Sequence, residues 1–379
     1  MIALHVNLLQ SKDPRDQAKA AKALFGLASD KDVNQIKIAT AGAIPQLVSL
    51  LGPQSSSELQ KTAAVALSLI LSNADIRVKT AAAGSVPPLV ALLGPNSSSR
   101  VHLMATMALE RIFKNAGNHV TVAVASAIPP LVALLGPHNS AAGVRENAAG
   151  ALKNLAYDNA DIQVKIATAG AIPPLVAFLG PHNCAMMQES AAGALKNLSN
   201  SNADCQVKIA AAGAIPPLVA LLGPHPLDDL LGPNSCATLR ECVAGALSNM
   251  SRNADVRVKV AAAGAILPLV ALLGPHNSAA VQESAAEALM NLAVCNADNQ
   301  VEIAAAGAIP PLISLIGFHN SVALQEKAVA VLSMIALNDD IYSQIRSSGG
   351  ASALAQFLSL PSMDKDIRQM ADMLLAQIS

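Results

Sequence analysis

The sequence predicts an all-α solenoid, a stack of similar helical units that share one continuous hydrophobic core. A phrase close to GAIPPLVALLGPH stands at seven places along the 379 residues. Each copy is followed by a longer segment with apolar residues at helical spacing, such as Ala191, Ala194, Leu195 and Leu198. The chain is 52% hydrophobic but only 2% aromatic and has no Trp, so Ala, Leu, Val and Ile must fill the core. Such small side chains suit closely packed helices.

The repeated phrase has a nearly constant period. Measured from its glycine, successive copies are 42 to 44 residues apart, except for the 51 residues between Gly213 and Gly264. Ser126 replaces the glycine in one copy, and Gly349 begins a degenerate last copy. The longer interval contains an insertion of about nine residues at His225–Pro233. A fixed period of this length indicates a repeat array rather than two ordinary domains.

Each unit is predicted to contain three helices, and the unit that contains Asp161 illustrates them. Asp161 is a suitable N-cap for a short first helix, which Gly170 ends. Pro173 and Pro174 stand where the first turn of a second helix tolerates missing N–H groups. The third and longest helix follows at 184–200. Because one unit cannot bury these apolar faces alone, neighbouring units must stack.

Composition excludes several classes of protein. The longest uncharged apolar run, Ile209–Pro224, has 16 residues, whereas a membrane-spanning helix needs about 20. The five cysteines are odd in number and form no C-x-x-C pair, which argues against a disulfide framework or a zinc site. We therefore expect a reducing compartment, the cytoplasm or the nucleus. The net charge is -1 and the basic residues are spread along the chain, so nucleic acid is not an expected partner.

No set of residues indicates catalysis or a cofactor. Histidines recur in the loops after the second helices, at His138, His182, His225, His276 and His319. Stacked helices lie roughly 10 Å apart, too far for two such loops to share a metal ion. The carboxylates that recur at the start of the first helices are interpreted as N-caps, namely Asp161, Asp204, Asp255 and Asp298. No nucleophile-elbow, phosphate-loop or zinc-protease motif occurs. We predict a protein that is not an enzyme and that binds no cofactor or metal.

Three features together resemble the armadillo-repeat family: the period of 42 to 44 residues, the three helices per unit, and the phrases G-A-I-P-P-L-V and A-L-x-N-L. The resemblance covers nearly the whole chain and implies a single right-handed superhelix over residues 1–379. It implies a partial unit and about eight full ones, at 1–29, 33–72, 76–115, 119–157, 161–200, 204–252, 255–295, 298–337 and 340–379. The uninterrupted repeats are most similar to the vacuolar armadillo protein and to plant U-box ligases.

The unburied face of the third helix carries the candidate binding residues. Four successive units present there residues at i, i+4 and i+8, namely Glu146, Gly150 and Asn154; Glu189, Gly193 and Asn197; Glu241, Gly245 and Asn249; and Glu283, Glu287 and Asn291. In armadillo proteins the third helices line the concave side, and the resemblance implies that these asparagines hold the main chain of an extended peptide. A carboxamide suits this role because it offers both a donor and an acceptor. Other units carry a different residue at the asparagine position, namely Gly26, Leu69, Arg111, Met334 or Gln377.

The sequence leaves alternative interpretations of these rows open. Asparagine at this position can instead tie neighbouring helices together, and glutamate can belong to a solvated helix face. A mid-helix glycine costs about 1 kcal/mol relative to alanine, so the recurring glycines indicate the close approach of either a ligand backbone or a neighbouring helix. An acidic row that faces a ligand predicts basic or polar side chains on the partner. Apolar residues beside the row, Val65, Leu69, Met104 and Met107, predict hydrophobic anchors.

We expect a scaffold or adaptor that binds an extended protein segment in the groove of the third helices. Importin-α-like members clamp lysines between tryptophans at this surface, and the absence of Trp argues against binding of nuclear signals. The alternative is the substrate-recognition arm of a ubiquitin ligase, although these residues contain no U-box. The first unit begins within its second helix, and self-association through that uncapped end is a further expectation.

Overall fold

The computed structural model describes the chain except for residues 31, 72, 96, 116–121, 137–140, 224–235, 338 and 361–362. The described residues form helices and no β-strand, which confirms the all-α class. None of the helices described combines the length and hydrophobicity that crossing a bilayer requires. The insertion at His225–Pro233 lies outside the described residues. The chain divides into two compact units, Met1–Ala177 and Phe178–Ser379.

The first unit begins with two helices, α1 (Ile2–Leu8) and α2 (Pro14–Asp30). The helices that follow are α3 (Asp32–Thr40), α4 (Ala43–Ser49), α5 (Ser57–Ile70), α6 (Ala74–Ala82), α7 (Val86–Ala91), α8 (Ser99–Phe113), α9 (Val122–Leu134), α10 (Ala142–Leu155), α11 (Ala160–Thr168) and α12 (Ile172–Phe178), which reaches the boundary between the units. The third helices of the repeats, α2, α5, α8 and α10, pack side by side in chain order.

The second unit repeats the same arrangement. Its helices are α13 (Ala185–Ser199), α14 (Ala203–Ala211), α15 (Ile215–Ala220), α16 (Ala237–Ser251), α17 (Ala254–Ala262), α18 (Ile266–Leu272), α19 (Ala279–Ala293), α20 (Ala297–Ala305), α21 (Ile309–Leu315), α22 (Val322–Ile335), α23 (Asp339–Ser347), α24 (Gly350–Leu358) and α25 (Lys365–Ile378). Each third helix packs on the next, in the order α13, α16, α19, α22 and α25. The predicted stripe Ala191, Ala194, Leu195 and Leu198 is buried. Within this unit the repeats therefore share a core, as a solenoid requires. The prediction of one superhelix over 1–379 stays a prediction.

The residues that cap the first helices differ from those predicted. The N-cap of α11 is Asn159, whose side chain accepts a hydrogen bond from the backbone N–H of Ile162. Asp161 lies two residues after this N-cap, in the first turn of the helix. Asn202 and Asn253 are the corresponding N-caps of α14 and α17. The N-cap assignment of Asp161, Asp204, Asp255 and Asp298 was therefore wrong. In each case the asparagine two residues earlier has the extended backbone of an N-cap, and the aspartate is already helical. The aspartates instead place negative charge near the positive end of the helix dipole.

The glycine of the repeated phrase makes the turn between the first and second helices. It has φ between +75° and +86° at Gly42, Gly84, Gly170, Gly213, Gly264, Gly307 and Gly349. L-residues with a side chain avoid this left-handed region. Where Ser126 replaces the glycine, no such turn forms and α9 runs through the junction as one helix, with Pro129 and Pro130 inside it. The prediction of three separate helices is therefore wrong for this repeat.

In four repeats a glutamine near the start of the third helix makes a link to the second helix that the sequence analysis missed. Gln282 Nε2 donates to the backbone oxygens of Leu273, at 3.2 Å, and Gly274, at 2.9 Å, at the end of α18. The same contact to the equivalent glycine is made by Gln60, Gln188 and Gln325. The carbonyls at a helix C-terminus have no partner within the helix. These glutamines donate a hydrogen bond to such carbonyls and thereby join the second helix to the third.

Candidate functional site

The candidate binding surface in the second unit lies on the third helices α13, α16, α19 and α22. The predicted residues Glu189, Gly193, Asn197, Glu241, Gly245, Asn249, Glu283, Glu287 and Asn291 all belong to these helices. In the first unit, Glu146, Gly150 and Asn154 lie on α10. Because each third helix packs on its neighbour, residues at equivalent positions form rows that run across the helices.

Three asparagines of the row tie their third helix to the one before it. Asn249 Nδ2 donates to the backbone oxygen of Lys196 at 2.9 Å. Asn291 Nδ2 donates to the backbone oxygen of Ser248 at 3.1 Å and to its Oγ at 3.0 Å. In the first unit Asn154 Nδ2 makes the same bond to Glu110 O at 2.8 Å. One of the two interpretations left open, a link between neighbouring helices, is therefore present at these three positions.

Arginine can replace asparagine in this link. Arg111 occupies the asparagine position on α8, and its guanidinium donates to the backbone oxygen of Ser68 on α5. Ser68 holds the position on α5 that Glu110 holds on α8. The hydrogen bond between helices therefore needs a side-chain donor at this position, and either asparagine or arginine can supply it.

The same bond fixes the orientation of the asparagine amides. Since Nδ2 faces the carbonyl of the preceding helix, Oδ1 must point away from it, because two oxygens would repel each other. No described residue donates to Oδ1 of Asn154, Asn249 or Asn291, and these oxygens are not sealed from solvent. The side chains of Asn249 and Asn291 are nevertheless held firmly, with only 8% and 9% of each residue exposed. Each presents an oriented acceptor on the third-helix surface.

The recurring glycines make room for a side chain of the neighbouring helix. A Cβ atom on Gly245 would lie 2.7 Å from Cε and 2.9 Å from Cδ of Lys196. On α10, a Cβ on Gly150 would lie 3.0 Å from Cγ of Glu110. The close approach that the sequence indicated is thus made at these two glycines by a side chain from the preceding third helix.

The glutamates of the second unit alternate with basic residues. Lys196 Nζ lies 3.1 Å from Glu241 Oε1, and Lys327 Nζ lies 2.6 Å from Glu283 Oε1. Arg252 Nη2 lies 2.8 Å from Oε1 of Glu287. Such partly exposed pairs contribute little to stability, typically about 0–1 kcal/mol. They do neutralise most of the acidic row, and Glu189 alone among these four glutamates has no ion pair with a described residue.

A shallow cavity of about 310 Å³ opens between α16 and α19. Its lining brings together members of all three rows, namely Lys196, Glu241, Gly245, Ser248, Asn249, Ala280, Glu283, Ser284 and Glu287. This volume is at the lower limit for small-molecule sites. The site therefore suits a side chain or a short piece of main chain rather than a cofactor.

The histidines that recur after the second helices lie on the surface. His182, His276 and His319 are exposed, whereas His138 and His225 lie outside the described residues. Within the described part of the chain, no group of three or more His, Cys, Asp or Glu side chains is arranged to hold a metal ion. The exposed histidines fit the interpretation as turn residues.

We expect two of the five cysteines to react rapidly with N-ethylmaleimide in the native protein. Cys184 and Cys295 are exposed, whereas Cys205, Cys236 and Cys242 are buried. Burial, with a smaller contribution from Asp204, raises the pKa of the Cys205 thiol and so lowers its thiolate fraction. Mass spectrometry of the time course measures the modification of each thiol. Rapid modification of Cys205 in the folded chain would contradict the packing of α14, and denaturant should expose all five.

The comparisons with known proteins agree with this architecture. A family model described as Armadillo/beta-catenin-like repeat matches residues 31–72, 117–157, 159–200 and 296–336. A crystal structure of an engineered protein superposes with a TM-score of 0.82 at 30% identity and covers 100% of this chain and 88% of its own. The designed armadillo repeat protein YIII(Dq)4CqI superposes with a TM-score of 0.56 at 26% identity, over 66% of this chain and 100% of its own. No match is found among curated protein sequences.

Stacked helical repeats with aligned third helices define a helical-repeat protein, a class that typically serves as a scaffold for protein interactions. The glycine turn between the first and second helices and the repeats matched by the family model identify the family within this class. The chain belongs to the armadillo-repeat family.

Proposed function

We propose that this protein is a non-catalytic scaffold that binds an extended protein segment along its third helices, in the cytoplasm or the nucleus. The observation that carries the proposal is the orientation of the asparagine amides. Each Nδ2 is held by the preceding helix, and each Oδ1 is left as an acceptor on the surface. An extended segment exposes one N–H donor and one C=O acceptor per residue, which matches such a row.

The spacing of the row suits an extended chain. Packed helices lie about 8–10 Å apart, and an extended chain advances about 3.3 Å per residue. Asn249 and Asn291 lie on neighbouring helices, so each would receive an N–H from every third residue or so of the bound segment. Two side chains between these contacts would then face the rest of the surface.

The charges of the groove favour a partner with polar or basic side chains. Glu189 is the glutamate of the second unit that has no ion pair with a described residue, and a basic side chain of the partner would meet it there. Elsewhere Lys196, Arg252 and Lys327 already neutralise the acidic residues, so main-chain contacts must supply most of the affinity. In the first unit the half-buried Val65, Leu69, Met104 and Met107 would receive apolar side chains.

The test separates the acceptor of the asparagine from its link to the neighbouring helix. A peptide of about twelve residues, enough to cross four third helices, is first selected from a random library against the full chain. The double variant Asn249→Ala and Asn291→Ala should lose binding by at least about tenfold and also lose stability, since each substitution removes a hydrogen bond between neighbouring third helices, a net contribution of about 0.5–1.5 kcal/mol.

Arginine provides the matched control, because Arg111 makes the same link naturally. The double variant Asn249→Arg and Asn291→Arg should keep most of the stability and still lose the peptide, since arginine offers no acceptor. Calorimetric titration and thermal unfolding measure the two effects. Unchanged affinity in the arginine variant, or full affinity of a peptide N-methylated along its backbone, would refute the proposal.

A further inference from the structure

The first unit contains a concave feature of its own, formed by the second helices and by the start of the third helix α8. A cavity of about 720 Å³ lies between the end of α7 and the helix α9. Its walls include Val90, Leu93, Pro95, Pro129 and Pro130, and they are mainly apolar. Small-molecule sites typically measure about 300–1,000 Å³ and combine apolar walls with a few placed polar groups. The volume and the lining therefore have the character of a ligand site.

Ser97, Ser99 and His102 are the polar residues in the described lining, and of these His102 is buried, with only 8% exposed. It stands where other repeats carry the glutamine that closes the second helix, and its Nε2 lies 3.0 Å from the backbone oxygen of Gly94. A carbonyl can only accept, so the neutral ring carries its proton on Nε2 and leaves a lone pair on Nδ1. No described residue donates to Nδ1.

The comparison with glutamine shows what is unusual about His102. At the equivalent positions Gln188 and Gln325 also leave an acceptor without a partner, but both Oε1 atoms are sealed from solvent. Nδ1 of His102 is not among these sealed atoms. The histidine thus keeps the link to the second helix and, at a position that lines the cavity, leaves an acceptor that is not sealed from solvent.

The opposite wall departs from the repeat pattern as well. Ser126 removes the glycine turn, so α9 continues through the junction and carries Pro129 and Pro130 in its interior. A proline inside a helix has no N–H to bond the carbonyl four residues earlier, and its ring displaces that carbonyl. The cavity therefore has His102 in one wall and, in the other, a helix whose continuous course differs from that of the other repeats.

We propose that this cavity is a binding site for an uncharged ring that carries one N–H or O–H donor, which the ligand directs to Nδ1 of His102. The apolar walls bury the ring, and the single hydrogen bond orients it. A free small molecule and an aromatic side chain of a partner share this chemistry. The site is distinct from the third-helix groove, because none of the glutamates, glycines and asparagines of the rows lines it.

Indole is the first probe, because the chain has no Trp and the fluorescence of indole then reports its concentration directly. Equilibrium dialysis with the full chain should give saturable binding with a Kd below about 1 mM. 1-Methylindole has the same ring but no donor, and it should bind about tenfold more weakly. Equal affinity for the two molecules, or no saturable binding of indole, would overturn the proposal.

Two variants locate the site. His102→Gln restores the residue of the other repeats, keeps the fold, and should weaken indole about tenfold while leaving 1-methylindole unchanged. Ala133 is exposed and lines the cavity, so Ala133→Phe should fill it and abolish binding. Ala271 is the equivalent exposed residue on α18, and Ala271→Phe should have no effect. Binding that survives both His102→Gln and Ala133→Phe would place indole elsewhere and refute the site.

A third ligand, the blocked peptide Ac-Gly-Trp-Gly-amide, distinguishes a free small molecule from an aromatic side chain of a partner protein. Tighter binding of the peptide than of indole, with the same loss in Ala133→Phe, assigns the cavity to a side chain of a partner protein. Weaker binding of the peptide assigns it to a free small molecule.

Discussion

Leu269→Ala is expected to lower the free energy of unfolding by about 2–5 kcal/mol, the range for leucines removed from a packed core. Leu269 lies on the second helix α18 and is 0% exposed. Its removal deletes apolar contacts and leaves a cavity that neighbouring repeats can fill only in part. In a repeat array the loss should be largest in the repeat that carries the substitution and in the repeats next to it.

Native-state hydrogen exchange of the amides in α18 and α19 measures this effect locally, and it does not require two-state unfolding. The matched control lies two residues away on the same helix. Leu267 is 66% exposed, and other repeats carry proline there, so Leu267→Ala should change stability by no more than about 0.5 kcal/mol. Similar losses for both leucines would show that α18 does not face the core as described.

Gly264→Val is expected to cost about 2–3 kcal/mol, from backbone strain rather than from a steric clash. Gly264 has φ of +78°, and nothing lies within 4 Å of the position that a Cβ would take. A β-branched residue is especially unfavourable in the left-handed region. The substitution therefore isolates the conformational requirement of the turn between α17 and α18.

Gly264→Asn is the control, because asparagine tolerates the left-handed conformation better than other residues with a side chain. It should cost less than about 1 kcal/mol and should keep the turn. Urea denaturation with hydrogen exchange of α17 and α18 compares the two variants. If valine were tolerated as well as asparagine, the turn would not need a positive φ.

Local patterns in the sequence predicted the repeats well. The glycine turn, the short proline-containing second helix and the apolar stripe of the third helix each depend on residues close together in the chain. The N-caps of the first helices were assigned to the wrong residue for a related reason. Asn159 and Asp161 are both good capping residues two positions apart, and only the backbone conformation decides which of them precedes the helix.

The fusion of α9 shows the limit of a repeat argument. Ser126 occupies the place of the glycine, and the surrounding phrase predicts the same turn by analogy. Without glycine the left-handed conformation becomes unfavourable, and the chain continues as a helix. The sequence contained this signal, but the periodic pattern around it outweighed it.

The candidate site was predicted as rows of residues, but their contacts were not. Sequence spacing shows that Asn249, Gly245 and Glu241 share one face of a helix. It does not show that Lys196 of the preceding repeat crosses Gly245 to reach Glu241. The link from Asn249 to the backbone of Lys196 joins residues 53 positions apart, a distance over which no local pattern carries information.

The repeat period, the helical class and the positions of the rows follow from the order of the amino acids, because each depends on neighbours within one turn or one unit. The contacts that each row makes depend on which residues of the adjacent repeat pack against it. At Gly150 and Gly245 the missing side chain leaves space for a side chain of the preceding helix. Most of the glutamates of the second unit form ion pairs with basic residues, and the asparagine amides are oriented by the preceding helix. These are contacts between distant segments, and their energies are settled only when the third helices lie side by side.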